Sequence, residues 1–144
     1  MTIDEQILNF KIEESGSNLS QGQRQLICIS RALINNPKIL LMDEATSNID
    51  TKTDALIQKL IREKFQNSTV MTIAHRLNTI IDYDKILFLK EGKIAEDGHP
   101  YVLMSKDSLE PDSHFRSLIM EGGEQFFKEM LARAKESYDR SHTN

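Results

Sequence analysis

Asp43 and Glu44 stand side by side directly after the apolar run Ile39-Leu-Leu-Met42. An acid at the carboxyl end of a buried strand can hold Mg²⁺ directly or through water, because that ion takes hard oxygen ligands. A second acid beside it can orient or deprotonate an attacking water. The plain alternative is an Asp-Glu pair that only starts the next element. His75, in "IAHRL", follows a second apolar stretch and is placed to reach the same edge, where an imidazole can touch a terminal phosphate. A lone loop histidine is more often a structural residue. The third candidate is Ser20-Gln-Gly-Gln23. Ser20 reads as a helix N-cap, with Gln23 three residues on completing a capping box. The first N–H groups of such a helix, with the positive end of its dipole, favour an anion. Gly22 carries no Cβ, so a phosphate can approach the backbone closely. Gln23 then has two competing uses, the cap or the ligand, and a capped helix without any ligand is the simpler reading.

The elements that must position these residues follow from the pattern. The capped helix runs from Ser20 to about Asn35, with Leu26, Ile29 and Leu33 on one face and Cys28 as a small core residue. Asn36 before Pro37 is pushed out of the α region and stops it. The continuous run 39–42 suits a strand of a parallel sheet buried on both faces. A helix over roughly 51–65 turns Leu56, Ile57, Leu60 and Ile61 inward, and a strand spans about 68–74. A short helix near 77–82 leads to a β-hairpin, 85–89 and 93–96, joined at "KEG". This strand–helix–strand alternation predicts an α/β fold. Beyond Pro100 two helices are expected, about 112–121 and 124–138. The second carries a stripe of Phe127, Met130, Leu131, Ala134 and Tyr138 whose main reading is packing against the domain and whose lesser reading is a partner-binding surface.

Composition narrows the function classes. The 144 residues carry a net charge of −4 and 39% hydrophobic residues, an ordinary globular balance that argues against non-specific nucleic-acid binding. A single cysteine excludes an internal disulfide. His99, His114 and His142 lack the spacing of a zinc site. No apolar run is long enough to span a bilayer, and the first ten residues do not read as a secretory signal.

Taken in order, "NLSQGQRQLICISRAL", "PKILLMDEATSNID" and "TVMTIAHRL" resemble the nucleotide-binding domain of ATP-binding cassette (ABC) transporters. The first matches the family signature, the second Walker B with its catalytic Glu and D-loop, and the third the switch-histidine loop. Gln21 stands where the commonest signature has Gly. The resemblance covers about residues 4–105 and is strongest to the second nucleotide-binding domain of multidrug-resistance-associated exporters. It implies ATP and Mg²⁺ as cofactors. Asp43 would hold the Mg²⁺ through water, Glu44 would be the general base, and His75 would contact the γ-phosphate. Asn48 and Asp50 would lie at a dimer interface. Ser20, Gly22 and Gln23 would contact the γ-phosphate of an ATP held by a second nucleotide-binding domain. The implied partners are that domain and the transmembrane domains of an exporter, at the cytoplasmic face of a membrane, with no nucleic acid.

The match breaks at the phosphate cradle. A Walker A loop needs G-x-x-x-x-G-K-[ST]. The nearest approach, Gly16 to Gly22, is one residue too long and has Gln23 where Lys belongs. The expected fold is therefore a partial P-loop NTPase: a parallel sheet lacking the Walker A strand, open at an edge, with C-terminal helices. Residues 1–105 are expected to form the C-terminal half of the domain and 106–144 a helical extension. The expected function is a piece of an ABC exporter ATPase that does not hydrolyse ATP alone. The alternative is a non-catalytic module that supplies its signature helix in trans to an intact domain.

Overall fold

The computed structural model describes residues 9–43, 49–74, 76–105 and 113–142. The chain forms two compact units, residues 1–75 and 76–144.

In the first unit a single 3₁₀ turn, Glu14–Gly16, precedes α1, Gln21–Asn35. Then come β1 (Ile39–Asp43), α2 (Thr51–Lys64) and β2 (Thr69–Ile73). α1 ends at Asn36, whose left-handed backbone (φ 43°) is the departure from the right-handed α region that Pro37 demands. β1 and β2 pair in parallel, Ile39 opposite Thr69 through Asp43 opposite Ile73. The Ser68 hydroxyl donates to the Pro37 carbonyl at 2.6 Å and locks the start of the pair. Ile29 of α1 and Ile57 and Ile61 of α2 bury against Met42, Ile49 and Phe65, with Leu40 and Val70 packed on the same cluster.

That cluster covers only one face of the strand pair. Ile39, Leu41, Met71 and Ile73 are 54–72% exposed on the other. The expectation of a strand buried on both faces is thus corrected for β1. Both helices of the unit contribute to the cluster on the Met42 side, so no layer among the described residues covers the opposite one. Two smaller corrections follow from helical periodicity. Cys28 is exposed, not core, because it shares a face with Arg24 and Arg31, about one-quarter turn from buried Ile29. Leu56 is 48% exposed beside fully buried Ile57.

The second unit opens with a short helix, α3 (Leu77–Ile80), and an antiparallel hairpin, β3 (Ile86–Lys90) and β4 (Lys93–Gly98). Glu91 and Gly92 both take positive φ, 51° and 74°, as a two-residue hairpin turn requires. A helix that the sequence pattern did not mark, α4 (Pro100–Ser105), follows, with Pro at its first position, where a missing N–H costs nothing. α5 (His114–Met120) and α6 (Glu124–His142) complete the unit. Ile81, Ile86, Leu103, Met104, Phe115, Ile119, Met130 and Ala134 form its core, and Phe127 and Leu131 pack on it. The α6 stripe therefore packs inward as expected, and the helix continues to His142.

Candidate functional site

The helix start at Ser20 is built from local chemistry. Ser20 takes extended backbone (φ −63°, ψ 158°) and its hydroxyl accepts from the Gln23 N–H at 3.1 Å. The Gln23 side-chain carbonyl accepts from the Ser20 N–H at 2.8 Å in return. Of the two uses open to Gln23, its carbonyl end takes the cap. The N–H of Arg24 already reaches the Ser20 carbonyl at 3.0 Å. The N–H groups of Gln21 and Gly22 have no helical carbonyl four residues back, so this turn presents two adjacent donors at the positive end of a 15-residue helix.

The loop before the cap is held by a residue the sequence reading did not single out. Asn18 donates its amide to the Lys11 carbonyl at 2.9 Å and accepts from the Glu13 N–H at 3.1 Å. The available signal was an Asn two residues before a cap, in a Gly- and Ser-rich loop, where such side chains bond nearby backbone.

Gly22 is buried, and its missing Cβ makes room for a neighbour within the unit. A Cβ there would lie 2.8 Å from the Thr53 methyl carbon Cγ2 and 3.7 Å from Ile49 Cγ2. The first turn of α1 thus rests on the start of α2. That start is itself capped: Asp50 accepts from the N–H groups of Lys52 and Thr53 at 3.1 and 3.0 Å. A hydrogen bond from the Thr53 side chain, then those backbone bonds, hold the Asp50 carboxyl below its usual pKa. Ile49, 5% exposed, anchors the preceding residue in the core.

Asp43 ends β1, exposed, at the carboxyl edge of the parallel pair and opposite Ile73. The structure therefore brings Gly22 together with Ile49 and the Asp50-capped turn, and it sets Asp43 separately by strand register. Glu44, Asn48 and His75 lie outside the described residues.

The arrangement fits two parts of a nucleotide complex. The donors of the α1 start fit a phosphate oxygen. Asp43 offers one carboxylate, enough for a Mg²⁺ that arrives with phosphates and keeps several waters. Among the described residues no group of three or more His, Cys, Asp or Glu side chains could hold a metal by itself.

The comparisons with known proteins bear on the same residues. A family model described as ABC transporter matches residues 3–47, a span that includes the capped helix start and Asp43. A probable multidrug resistance-associated protein of Drosophila melanogaster, lethal(2)03659, is 47% identical over 131 residues, 91% of this chain and 9% of that protein. ATP-binding cassette sub-family C member 4 of Mus musculus is 48% identical over 133 residues, 92% of this chain and 10% of that one. The ATP-dependent bile acid permease of Saccharomyces cerevisiae is 53% identical over 117 residues, 81% and 7%. The chain thus spans 7–10% of the length of these relatives. Among solved structures, a bacterial Atm1-family ABC exporter with ATP bound superposes with a TM-score of 0.59 at 37% identity, covering 87% of this chain and 19% of that one. Identity near one half over most of the chain, with the same fold in a solved exporter, makes this protein a member of the ABC transporter family, similar to its multidrug-resistance-associated exporters.

Proposed function

We propose that this chain is the C-terminal half of the nucleotide-binding domain of an ABC exporter, the part that helps couple ATP binding and hydrolysis to transport. Residues 1–105 are that half and 106–144 its helical extension. The observation that carries the reading is the α1 start, capped by Ser20 and Gln23 and presenting the N–H groups of Gln21 and Gly22. In this reading that turn meets the γ-phosphate of an ATP held by a second nucleotide-binding domain. Ser20 and Gln23 hold the turn in shape, and Asn48 and Asp50 line the interface between the two domains. Asp43 would hold Mg²⁺ through water, Glu44 would act as general base for the attacking water, and His75 would contact the γ-phosphate. Bound Mg²⁺ would supply charge neutralisation on the phosphates. Transmembrane domains of the exporter are the further partner, and the working place is the cytoplasmic face of a membrane. No helix among the described residues is long and apolar enough to cross a membrane.

The chain alone does not hydrolyse ATP in this reading. Phosphoryl transfer depends mostly on positioning and charge stabilisation by the Lys and N–H cradle, and these 144 residues contain no G-x-x-x-x-G-K-[ST]. Purified chain should show no ATP turnover above background. A turnover abolished by Glu44→Gln would overturn this.

A second reading is favoured by where the donor turn gets its support. Asn18, Ser20, Gln23 and Thr53 all belong to the first unit, so the turn is complete on this chain. The chain would then act as a non-catalytic module that offers this turn in trans to an intact domain. Adding it to such a domain should tighten ATP binding, and Ser20→Arg should cancel the change.

A further inference from the structure

We propose that Thr53 is a positioning residue for the phosphate-facing turn: its methyl group is the floor that sets where the Gln21 and Gly22 N–H groups stand. The proposal rests on the reading that this turn meets a terminal phosphate held by a partner domain.

Three observations carry it. First, Thr53 is held at the capped start of α2, where its N–H donates to Asp50 Oδ1 at 3.0 Å. A β-branched side chain in a helix has few χ1 rotamers open to it. Second, the methyl lies against Gly22 at a distance that leaves no space for even one carbon, since a Cβ would sit 2.8 Å from Cγ2. Third, α2 cannot drift away under load, because Ile57 is fully buried and Ile61 is 4% exposed in the core beneath it. The physical chain therefore runs from the capped start of α2 through the Thr53 methyl to Gly22, whose N–H is one of the two donors. Thr53 touches no phosphate itself and acts only through Gly22.

The two halves of the threonine side chain can be removed separately. Thr53→Ser keeps the hydroxyl and the cap and deletes the floor. Thr53→Val keeps a methyl on Gly22 and deletes the hydroxyl. The test measures the ATP affinity of an intact nucleotide-binding domain, one with its own Walker A loop, with and without the full chain. Wild type should tighten ATP binding. With Thr53→Ser the tightening should fall roughly tenfold, an order of magnitude below what a misplacement of about 1 Å can cost. Thr53→Val should stay within about threefold of wild type, below the roughly fivefold at which coupling between sites typically begins. The thermal midpoint of the chain is recorded for each protein, because a merely structural role would lower affinity and midpoint together. Unaltered tightening by Thr53→Ser overturns the proposal, as does a loss with Thr53→Val equal to that with Thr53→Ser. A wild-type chain without effect on ATP affinity overturns the in-trans reading itself and this proposal with it, so the two failures are distinct.

Discussion

Replacing Gly22 by Ala sets two opposing effects against each other, and the structure says which wins. Gly22 is the second residue of α1. On helix propensity alone, Ala should stabilise by about 0.5–1 kcal/mol, since it restricts the unfolded chain. The new methyl, however, would stand 2.8 Å from Thr53 Cγ2, while carbon pairs rest at about 3.5–4.0 Å. A gap of roughly 1 Å must open between two helices whose cores are already packed, and overpacking of this kind costs about 1–3 kcal/mol. The clash wins, so Gly22→Ala should destabilise by about 1 kcal/mol net. In a Thr53→Ser background the offending carbon is gone and the two remaining contacts, 3.7 Å to Ile49 Cγ2 and 3.7 Å to the Cβ of residue 53, are ordinary. There the same Ala should be neutral or stabilising, which makes the coupling between the two positions about 1–2 kcal/mol. Urea unfolding of the four proteins, with midpoint and slope both recorded, measures it. If Gly22→Ala costs the same in both backgrounds within about 0.5 kcal/mol, the contact between Gly22 and Thr53 does not exist as described.

Two further outcomes test the second unit. Glu96 on β4 accepts from the N–H groups of His114 and Phe115 at 2.6 and 3.0 Å, capping α5 from across the unit while Ser113 turns its hydroxyl to the Leu103 carbonyl. Glu96→Ala should therefore cost about 1–2 kcal/mol in urea unfolding and speed amide exchange at His114 and Phe115; unchanged exchange at both would refute the cap. His99 accepts from the Tyr101 N–H at 3.1 Å and packs edge-on to Tyr138, whose ring stacks on His142. Burial lowers the His99 pKa below 6.5, Asp84 opposes that shift, and His142 adds to it. A lowered histidine pKa means that the folded state prefers the neutral ring, so its contribution is fully present above pH 6.5 and is lost as pH falls through the folded value. The thermal midpoint should accordingly drop further between pH 7.5 and 5.5 in wild type than in His99→Asn, and equal drops would refute it.

What could be read from the sequence was what a few neighbouring residues decide. The cap of α1 was legible because Ser20 and Gln23 satisfy each other within one turn. The parallel strands were legible as short apolar runs, and the family blocks identified the fold. The unread parts depend on residues far apart. Continuous apolarity in 39–42 says nothing about which face a helix covers, and here Leu41 is 72% exposed while Met42 is 8% exposed. The helix Pro100–Ser105 was not expected, since the sequence pattern puts the helices beyond Pro100 at about 112–121 and 124–138, whereas Pro100 itself opens a helix. Glu96 caps a helix 18 residues away, a pairing no local pattern encodes. At the site, Ser20, Gly22, Gln23, Asp43 and Asp50 sit at element ends, as their types demanded. The use of the absent Gly22 side chain, contact with Thr53, emerged only from the packing of α1 on α2.

The two halves of the proposed nucleotide chemistry rest on different structural support. The donor turn needs Asn18, the Ser20–Gln23 box and the Thr53 floor, all packed on the buried side of the strand pair or in the loop beside it. None of these uses the open face formed by Ile39, Leu41, Met71 and Ile73. Asp43 is the opposite case, for it lies on that open face, in line with Ile39 and Leu41 by strand alternation. Burying each of those four apolar side chains would stabilise by roughly 1.5–3 kcal/mol at most, so whatever covers the face also changes the surroundings of the Asp43 carboxylate. Covering the face should therefore alter the Asp43 side of the site strongly and the donor turn little.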